Sequence, residues 1–224
     1  VTADKTGTIS VNVGALDNVT IVNALGDGGI AIDSLTLTTD AEYIFYLAGY
    51  DQDKNFIRNI NSKWSIQGGI GTLSTGDSFS TSTVLTATTI GSGLIQADTA
   101  SFTDQTGIIN VKQGVLNRLT IRNGTNGGGT EVGDISLTTD ETLLMYAAGY
   151  DSDDNYIGDI AVDWTSSGTL DQVTGNQSSF SFAPTTAPTS GEITITKSGV
   201  TADKTGTISV NVGALDNVTI VNAL

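Results

Sequence analysis

The chain contains no cysteine and no histidine, and its 224 residues include only 2 prolines and 9 lysines and arginines together. Without cysteine there is no disulfide and no thiolate nucleophile, so the fold must rest on packing and β-ladders or on bound metal. Without histidine there is no Ser-His-Asp triad, and the two absences together exclude an ordinary zinc site. No apolar run approaches the ~20 residues of a membrane-spanning helix, and neither a starting methionine nor a secretory leader is visible, so a mature or excised segment is expected. Against the few cations stand 24 acids, for a net charge of −15. That balance argues against nucleic acid and against anionic membrane surfaces, both of which attract basic patches. Aromatic residues make up only 6%. Glycine, threonine, serine and asparagine are abundant instead. Threonine joins valine and isoleucine in favouring strands, and glycine and asparagine favour the turns between them.

What is abundant also repeats. Residues 1–25 and 200–224 both read VTADKTGTISVNVGALDNVTIVNAL, a period of 199. Independent drift would have blurred a match of that length. The expectation is a window on a long array of near-identical 199-residue units; the other reading is one subunit carrying the same strand at both ends. A weaker repeat lies inside. Leu37-Thr38-Thr39-Asp40 returns as Leu137-Thr138-Thr139-Asp140, Ala48-Gly49-Tyr50-Asp51 as Ala148-Gly149-Tyr150-Asp151, and Trp64 as Trp164, all 100 apart. Thr106-Gly107 matches Thr6-Gly7 and Thr205-Gly206. The repeat predicts residues 1–13 as the last strand of a preceding domain, 15–113 and 115–212 as whole domains, and 214–224 as the first strand of a following one. Gly14, Gly114 and Gly213 mark the junctions, and linkers this short predict semi-rigid rods.

Within each domain the pattern has period two. Ile160, Val162 and Trp164 alternate with Ala161, Asp163 and Thr165; Ile208, Val210 and Val212 alternate with Thr207, Ser209 and Asn211. One set is buried and the other wet. The run Leu143-Leu144-Met145-Tyr146-Ala147-Ala148 is apolar on both faces and predicts a central strand. Turn signals recur about every ten residues, helical spacing is nowhere sustained, and about seven short strands per domain predict an all-β, two-sheet sandwich. Trp64 and Trp164 are placed between the sheets.

Here a resemblance becomes specific. Gly149-Tyr150-Asp151-Ser152-Asp153-Asp154-Asn155-Tyr156-Ile157, followed by Val162-Asp163-Trp164-Thr165-Ser166, resembles the turn and third strand of bacterial Ig-like domains, and Thr205-Gly206-Thr207-Ile208-Ser209-Val210 is similar to their last strand. Such domains form tandem arrays in invasin- and intimin-like adhesins, surface-layer proteins and surface-anchored enzymes. The resemblance implies tandem immunoglobulin-like β-sandwiches at a cell surface, without implying an activity. The glycine-rich insertions at Gly26–Ile30 and Asn126–Thr130 depart from the pattern and leave the strand order open.

The site candidate with the clearest spacing is the acidic turn. Asp51, Asp53 and Asn55 have D-x-D-x-N spacing, repeated by Asp151, Asp153 and Asn155, with Asp159 four residues on. Alternate oxygens in a tight loop can face a hard cation such as Ca²⁺. The same residues are the commonest makers of β-turns, and the glycine and glutamate of an EF-hand loop are missing: Phe56 and Ser62, or Tyr156 and Val162, stand there. An ordinary turn is the favoured reading. The glycine-rich loops lack the lysine and helix of a phosphate cradle, and loop flexibility or packing against a neighbouring domain is expected of them instead. Asn18, Asn123, Asn176 and Asn217 open Asn-x-Ser/Thr triplets, which also arise by chance in so threonine-rich a chain. A Lys–Asn isopeptide has no support, since Lys63 becomes Asp163 and Lys5 becomes Gln105 in the other copy. No carboxylate pair stands out for glycosidase chemistry, so catalytic residues are expected to be absent, and Ca²⁺ is the one cofactor the residues leave open.

Two functional classes follow. The first is a structural segment of a long extracellular fibre, stalk or surface adhesin, whose partners are neighbouring identical repeats or chains and whose end strands are completed by strand donation. The second is a module whose loops or exposed sheet bind a carbohydrate or a host receptor.

Overall fold

The structure, a computed structural model, describes residues 5–220. The outermost parts of the two expected flanking strands, 1–4 and 221–224, lie outside the described residues. Two compact units divide the chain, Val1–Lys112 and Gln113–Leu224. Among the described residues the one helical element is a single 3-10 turn at Gly26–Gly28; everything else regular is strand.

Unit 1 contains β1 (Asn18–Val22), β2 (Ser34–Thr38), β3 (Glu42–Tyr50), β4 (Phe56–Asn59), β5 (Ser62–Gln67), β6 (Gly71–Leu73), β7 (Phe79–Ser80), β8 (Ser82–Ala87), β9 (Gly91–Asp98), β10 (Thr103–Gln105) and β11 (Ile108–Lys112). One sheet runs β1-β3-β8-β6 with β4 beside β3; the other runs β2-β11-β9-β5-β7 with β10 beside β9. Take β1, β3, β5, β6, β8, β9 and β11 as the principal strands in chain order. The first, second, fifth and fourth then share one sheet, and the third, sixth and seventh share the other. That is the immunoglobulin arrangement.

Unit 2 repeats it. Its strands are β12 (Arg118–Arg122), β13 (Ile135–Thr138), β14 (Leu143–Tyr150), β15 (Tyr156–Asp159), β16 (Val162–Ser166), β17 (Thr174–Gln177), β18 (Ser179–Phe182), β19 (Thr189–Gly191), β20 (Ile193–Thr196), β21 (Asp203–Lys204) and β22 (Ile208–Asn211). They form β12-β14-β15 with β18 beside β14, then β13-β22-β19, and β17-β16-β20-β21.

The elements outnumber the expected seven strands because several are interrupted. The first strand breaks at the glycine-rich insertion, and its halves join different sheets: β1 pairs antiparallel with β3, whereas β2 pairs parallel with β11. This settles the strand order that the insertion had left open. The last strand breaks at Thr106-Gly107 and Thr205-Gly206, separating β10 from β11 and β21 from β22.

Alternation places the cores. In unit 1, Phe45 and Leu47 of β3 and Leu85 of β8 pack toward Trp64 of β5, Ile95 of β9, and Ile109 and Val111 of β11. In unit 2, Ile121, Met145 and Ala147 pack with Trp164, Ile193, Ile195, Ile208 and Val210. Each tryptophan is buried, and its Nε1–H donates across to a neighbouring strand, Trp64 to the Ser80 carbonyl at 2.9 Å and Trp164 to that of Gln177 at 2.8 Å. The indole thus adds apolar area without an orphaned donor. β14 is central in its sheet, as its apolar run predicted, and on its outer face Ala148 is buried while Leu144 is exposed.

Candidate functional site

Asp51 and Asp151 follow β3 and β14 and head the turns into β4 and β15. In each turn the fourth residue adopts a left-handed conformation, Lys54 at φ 66° and Asp154 at φ 64°. The backbone closes with Asp51 N–H donating to the Asn55 carbonyl at 3.1 Å and Lys54 N–H donating to the Asp51 carbonyl at 3.0 Å. The Asp51 carboxylate is buried and ringed by donors. Its Oδ1 accepts the Asp53 and Asn55 N–H groups at 3.0 and 2.8 Å. The Asn55 side-chain amide donates to both oxygens, and Gly14 N–H donates to Oδ2 at 2.8 Å. Asp151 makes the same set, with Gly114 N–H at 2.9 Å. The Gly14 N–H first, then the Asn55 donors, hold the Asp51 carboxyl below its ordinary value.

The site residues are therefore brought together in part. Asp51 meets Asn55, and Asp151 meets Asn155, but each asparagine turns its amide nitrogen to the carboxylate. Asp53 and Asp153 contribute backbone N–H groups, while their side chains are exposed. A hard cation needs oxygens facing a common point; the Asp51 and Asp151 oxygens face N–H donors. Among the described residues no three acidic, His or Cys side chains converge on a point that could hold a metal ion. Asp159 lies apart from Asp151, under the glycine-rich loop. It accepts Asn126 N–H and Thr125 Oγ1–H at 3.0 Å each, and Tyr156 O–H at 2.8 Å. Burial raises the Asp159 carboxyl, but these donors outweigh it and leave it lowered. Burial and the adjacent carboxylate push the Tyr156 hydroxyl up to about 12. Gly127 lies flat against the Tyr156 ring at φ 68°, where a side chain would strike the ring. The counterpart in unit 1 is Gly26 N–H donating to Asn59 Oδ1 at 3.1 Å. Both loops are thus anchored on strands of their own unit.

Two further acids are used in a way that the sequence reading did not foresee. Asp104 Oδ2 accepts Ile21 N–H, and Asp203 Oδ2 accepts Ile121 N–H, both at 2.6 Å. Ile21 and Ile121 lie on β1 and β12, at the rim of one sheet, and the acids come from β10 and β21 of the other. Each carboxylate closes the open seam of its sandwich and satisfies an edge donor. Next to them, the Thr106 and Thr205 hydroxyls are buried and accept the N–H groups of Ile95 and Ile193 at 3.0 Å, which the strand break would otherwise orphan. The signal was present as the recurrence of Asp-x-Thr-Gly at 104–107 and 203–206.

The identical blocks meet opposite fates. Val210 is 1% exposed in β22, whereas Val11, its twin, is 90% exposed; Ile21 is 1% exposed in β1, whereas its twin Ile220 is 97% exposed. Ile9 and Val218 are likewise exposed where Ile208 and Val19 are buried. Residues 5–17 and 212–220 form no strand.

The copies also diverge at one surface spot. In unit 2 the Arg118 guanidinium lies 4.3 Å from the Tyr150 ring centroid and pairs with Asp154 at 2.9 Å. In unit 1 Asn18 and Lys54 stand in those places. There, a groove of about 280 Å³ opens beside Tyr50, walled by Thr20, Val22 and Ala31.

No family model matches the chain, and no curated protein matches it. Solved structures do. Domains 4–9 of the surface-layer protein SbsC align over 89% of this chain at 15% identity and a TM-score of 0.32, and the chain spans 32% of that structure's length. The Escherichia coli adhesin FdeC aligns over 92% at 13% identity and a TM-score of 0.38, with 68% of its own chain covered. The Yersinia pseudotuberculosis adhesin InvE aligns over 87% at 11% identity and a TM-score of 0.31, with 59% of its chain covered.

Proposed function

We propose that this chain is a structural repeat segment of a long extracellular fibre, stalk or surface adhesin, arrayed end to end, with its outermost strands completed by donation from neighbouring repeats of the same or another chain. One observation carries the reading. The segments at 5–13 and 215–220, which form no strand, repeat letter for letter the blocks that carry β22 in unit 2 and most of β1 in unit 1. Another copy of the same repeat offers each of them the slot that it fits. The acidic surface and the absence of cysteine suit a secreted protein stabilised by ladders and packing.

The test is a series of chains with one, two and three 199-residue units, measured by small-angle scattering. The maximal dimension is expected to grow by a constant increment per unit; a dimension that stops growing would sink the reading.

In this account the acidic turns are hydrogen-bonded pins. Millimolar Ca²⁺ is expected to leave the melting temperature unchanged, and a rise of several degrees on adding it would establish the cation reading instead.

The groove beside Tyr50 supports a second role, as a site for a carbohydrate or receptor side chain. Its volume of about 280 Å³ falls just below the ~300–1,000 Å³ of ligand sites, which suits a single side chain or sugar ring. Saturable binding of glycans or cells, lost in Tyr50→Ala and kept in Tyr150→Ala, would establish this role. A passive spacer shows none.

A further inference from the structure

β22 fills a slot whose requirements can be read residue by residue. Its backbone pairs in parallel with β13, Ile208 opposite Ile135 through Asn211 opposite Thr138, and antiparallel with β19. Ile208 and Val210 enter the core. The Asn211 amide donates to Ser136 Oγ at 2.9 Å. Gly206 N–H donates to the Val132 carbonyl at 3.0 Å, and a side chain on Gly206 would collide with the Gly133–Asp134 backbone. Thr205 supplies the hydroxyl described above.

Residues 6–12 carry every one of these features: Thr6, Gly7, Ile9, Val11 and Asn12 stand for Thr205, Gly206, Ile208, Val210 and Asn211. Nothing lies near Gly7. The last strand of unit 1 is a poorer match to the same block. It has Ile108, Asn110 and Lys112 where the block has Thr8, Ser10 and Asn12.

We infer that the slot between β13 and β19 is an exchange site that accepts residues 5–13 of a second copy of this chain, parallel to β13 and in place of β22. The inference rests on the array reading above and deepens it by naming donor, acceptor and polarity. The donor block belongs to unit 1 and the acceptor slot to unit 2. The contact is therefore heterologous and grows head to tail, into an open chain or a closed ring, where an isologous contact would stop at two copies. Incoming and resident strands bury the same atoms, so exchange in the unaltered chain gains nothing to offset the entropy cost of association. Weakening the resident strand alone tips the balance.

The experiment uses the full chain and its lack of native cysteine. Asn12→Cys with Thr138→Cys reports occupancy, because residue 12 would take the place of Asn211 opposite Thr138. These two changes are combined with Gly206→Ala, which loosens β22, and separately with Ile208→Asp plus Val210→Asp, which expels it. On oxidation both chains are expected to yield a disulfide-linked ladder of two, three and more copies. Gly7→Ala added to the first, or Ile9→Asp with Val11→Asp added to the second, is expected to abolish it. Monomers with free thiols in both backgrounds, a disulfide closed within one chain, or a ladder indifferent to the donor changes would each overturn the inference. A fused chain of two 199-residue units separates this from the array reading. If its junction block is protected from hydrogen exchange while no ladder forms, the array stands and exchange falls. If the ladder forms and the junction block stays unprotected, exchange stands and the array falls.

Discussion

Gly206 and Gly7 are the same residue in the same local sequence, yet only one of them has a reason to be glycine where it sits. Gly206→Ala must push the Gly133–Asp134 backbone aside and is expected to cost unit 2 about 1–3 kcal/mol, the range of overpacking. Gly7→Ala is expected to leave the melting curve of the monomer unchanged. Differential scanning calorimetry on the two variants checks both. Asp51 gives a second residue-scale prediction. Its folded carboxyl titrates below the ordinary value of 3.8, so its contribution is present above that value and is lost as the pH falls through the lower, folded one. Asp51→Asn is expected to lower stability near neutrality and to flatten the acid limb of stability against pH. An unchanged acid limb would mean that the Gly14 and Asn55 donors do not act on the carboxylate. The D-x-D-x-N spacing was legible as a turn because Asp and Asn bond their own backbone two to four residues on. The bond to Gly14, 37 residues earlier in the chain, had no local signature. The bonds from Thr125 and Asn126 to Asp159 had no local signature either, since a strand brings that carboxylate under a loop more than thirty residues earlier.

At the scale of elements, each sandwich depends on how its first and last strands meet. Asp104→Ala removes the acceptor of Ile21 N–H and is expected to cost about 1–2 kcal/mol. The loss should appear as faster hydrogen exchange in β1 before β3 is affected. Trp164→Ala opens a cavity between the sheets and is expected to cost about 3–5 kcal/mol, read as a loss of denaturant midpoint. The strands themselves were largely visible in the sequence. Period-two runs such as 160–165 and 208–211 became β16 and β22, because one buried face forces alternation. The tryptophans fell between the sheets as expected. What could not be read was the switch of the first strand from one sheet to the other. That depends on whether β3 or β11 offers a free edge, and nothing in residues 18–38 records it. The exposure of Leu144 was hidden likewise, since an apolar residue carries no mark of whether another element covers it.

For the whole molecule, charge is the dominant unbalanced quantity. The chain has 24 acids and 9 cations, and the ion pairs found among the described residues are Lys63–Asp77, Arg118–Asp154 and Lys204–Glu192. Most carboxylates therefore repel one another across water. Added sodium chloride is expected to raise the melting temperature, with most of the rise complete by ~0.15 M, where the screening length has shrunk to about 8 Å. A fall with salt would mean that these ion pairs outweigh the repulsion. The repeat period, visible at once in the sequence, was the guide to this scale. Two units of similar length emerged because each hundred-residue block carries one tryptophan and one complete set of alternating strands.

The parallel pairing of β2 with β11, five residue pairs from Ser34–Ile108 to Thr38–Lys112, has a mechanical consequence. Tension applied where the chain enters and leaves unit 1 pulls these two strands along their length in opposite directions. The hydrogen bonds between them then stretch together instead of parting one by one as in a peeled hairpin. Such a domain yields abruptly at high force and holds its length until then, which is how a tether resists the drag of flowing liquid.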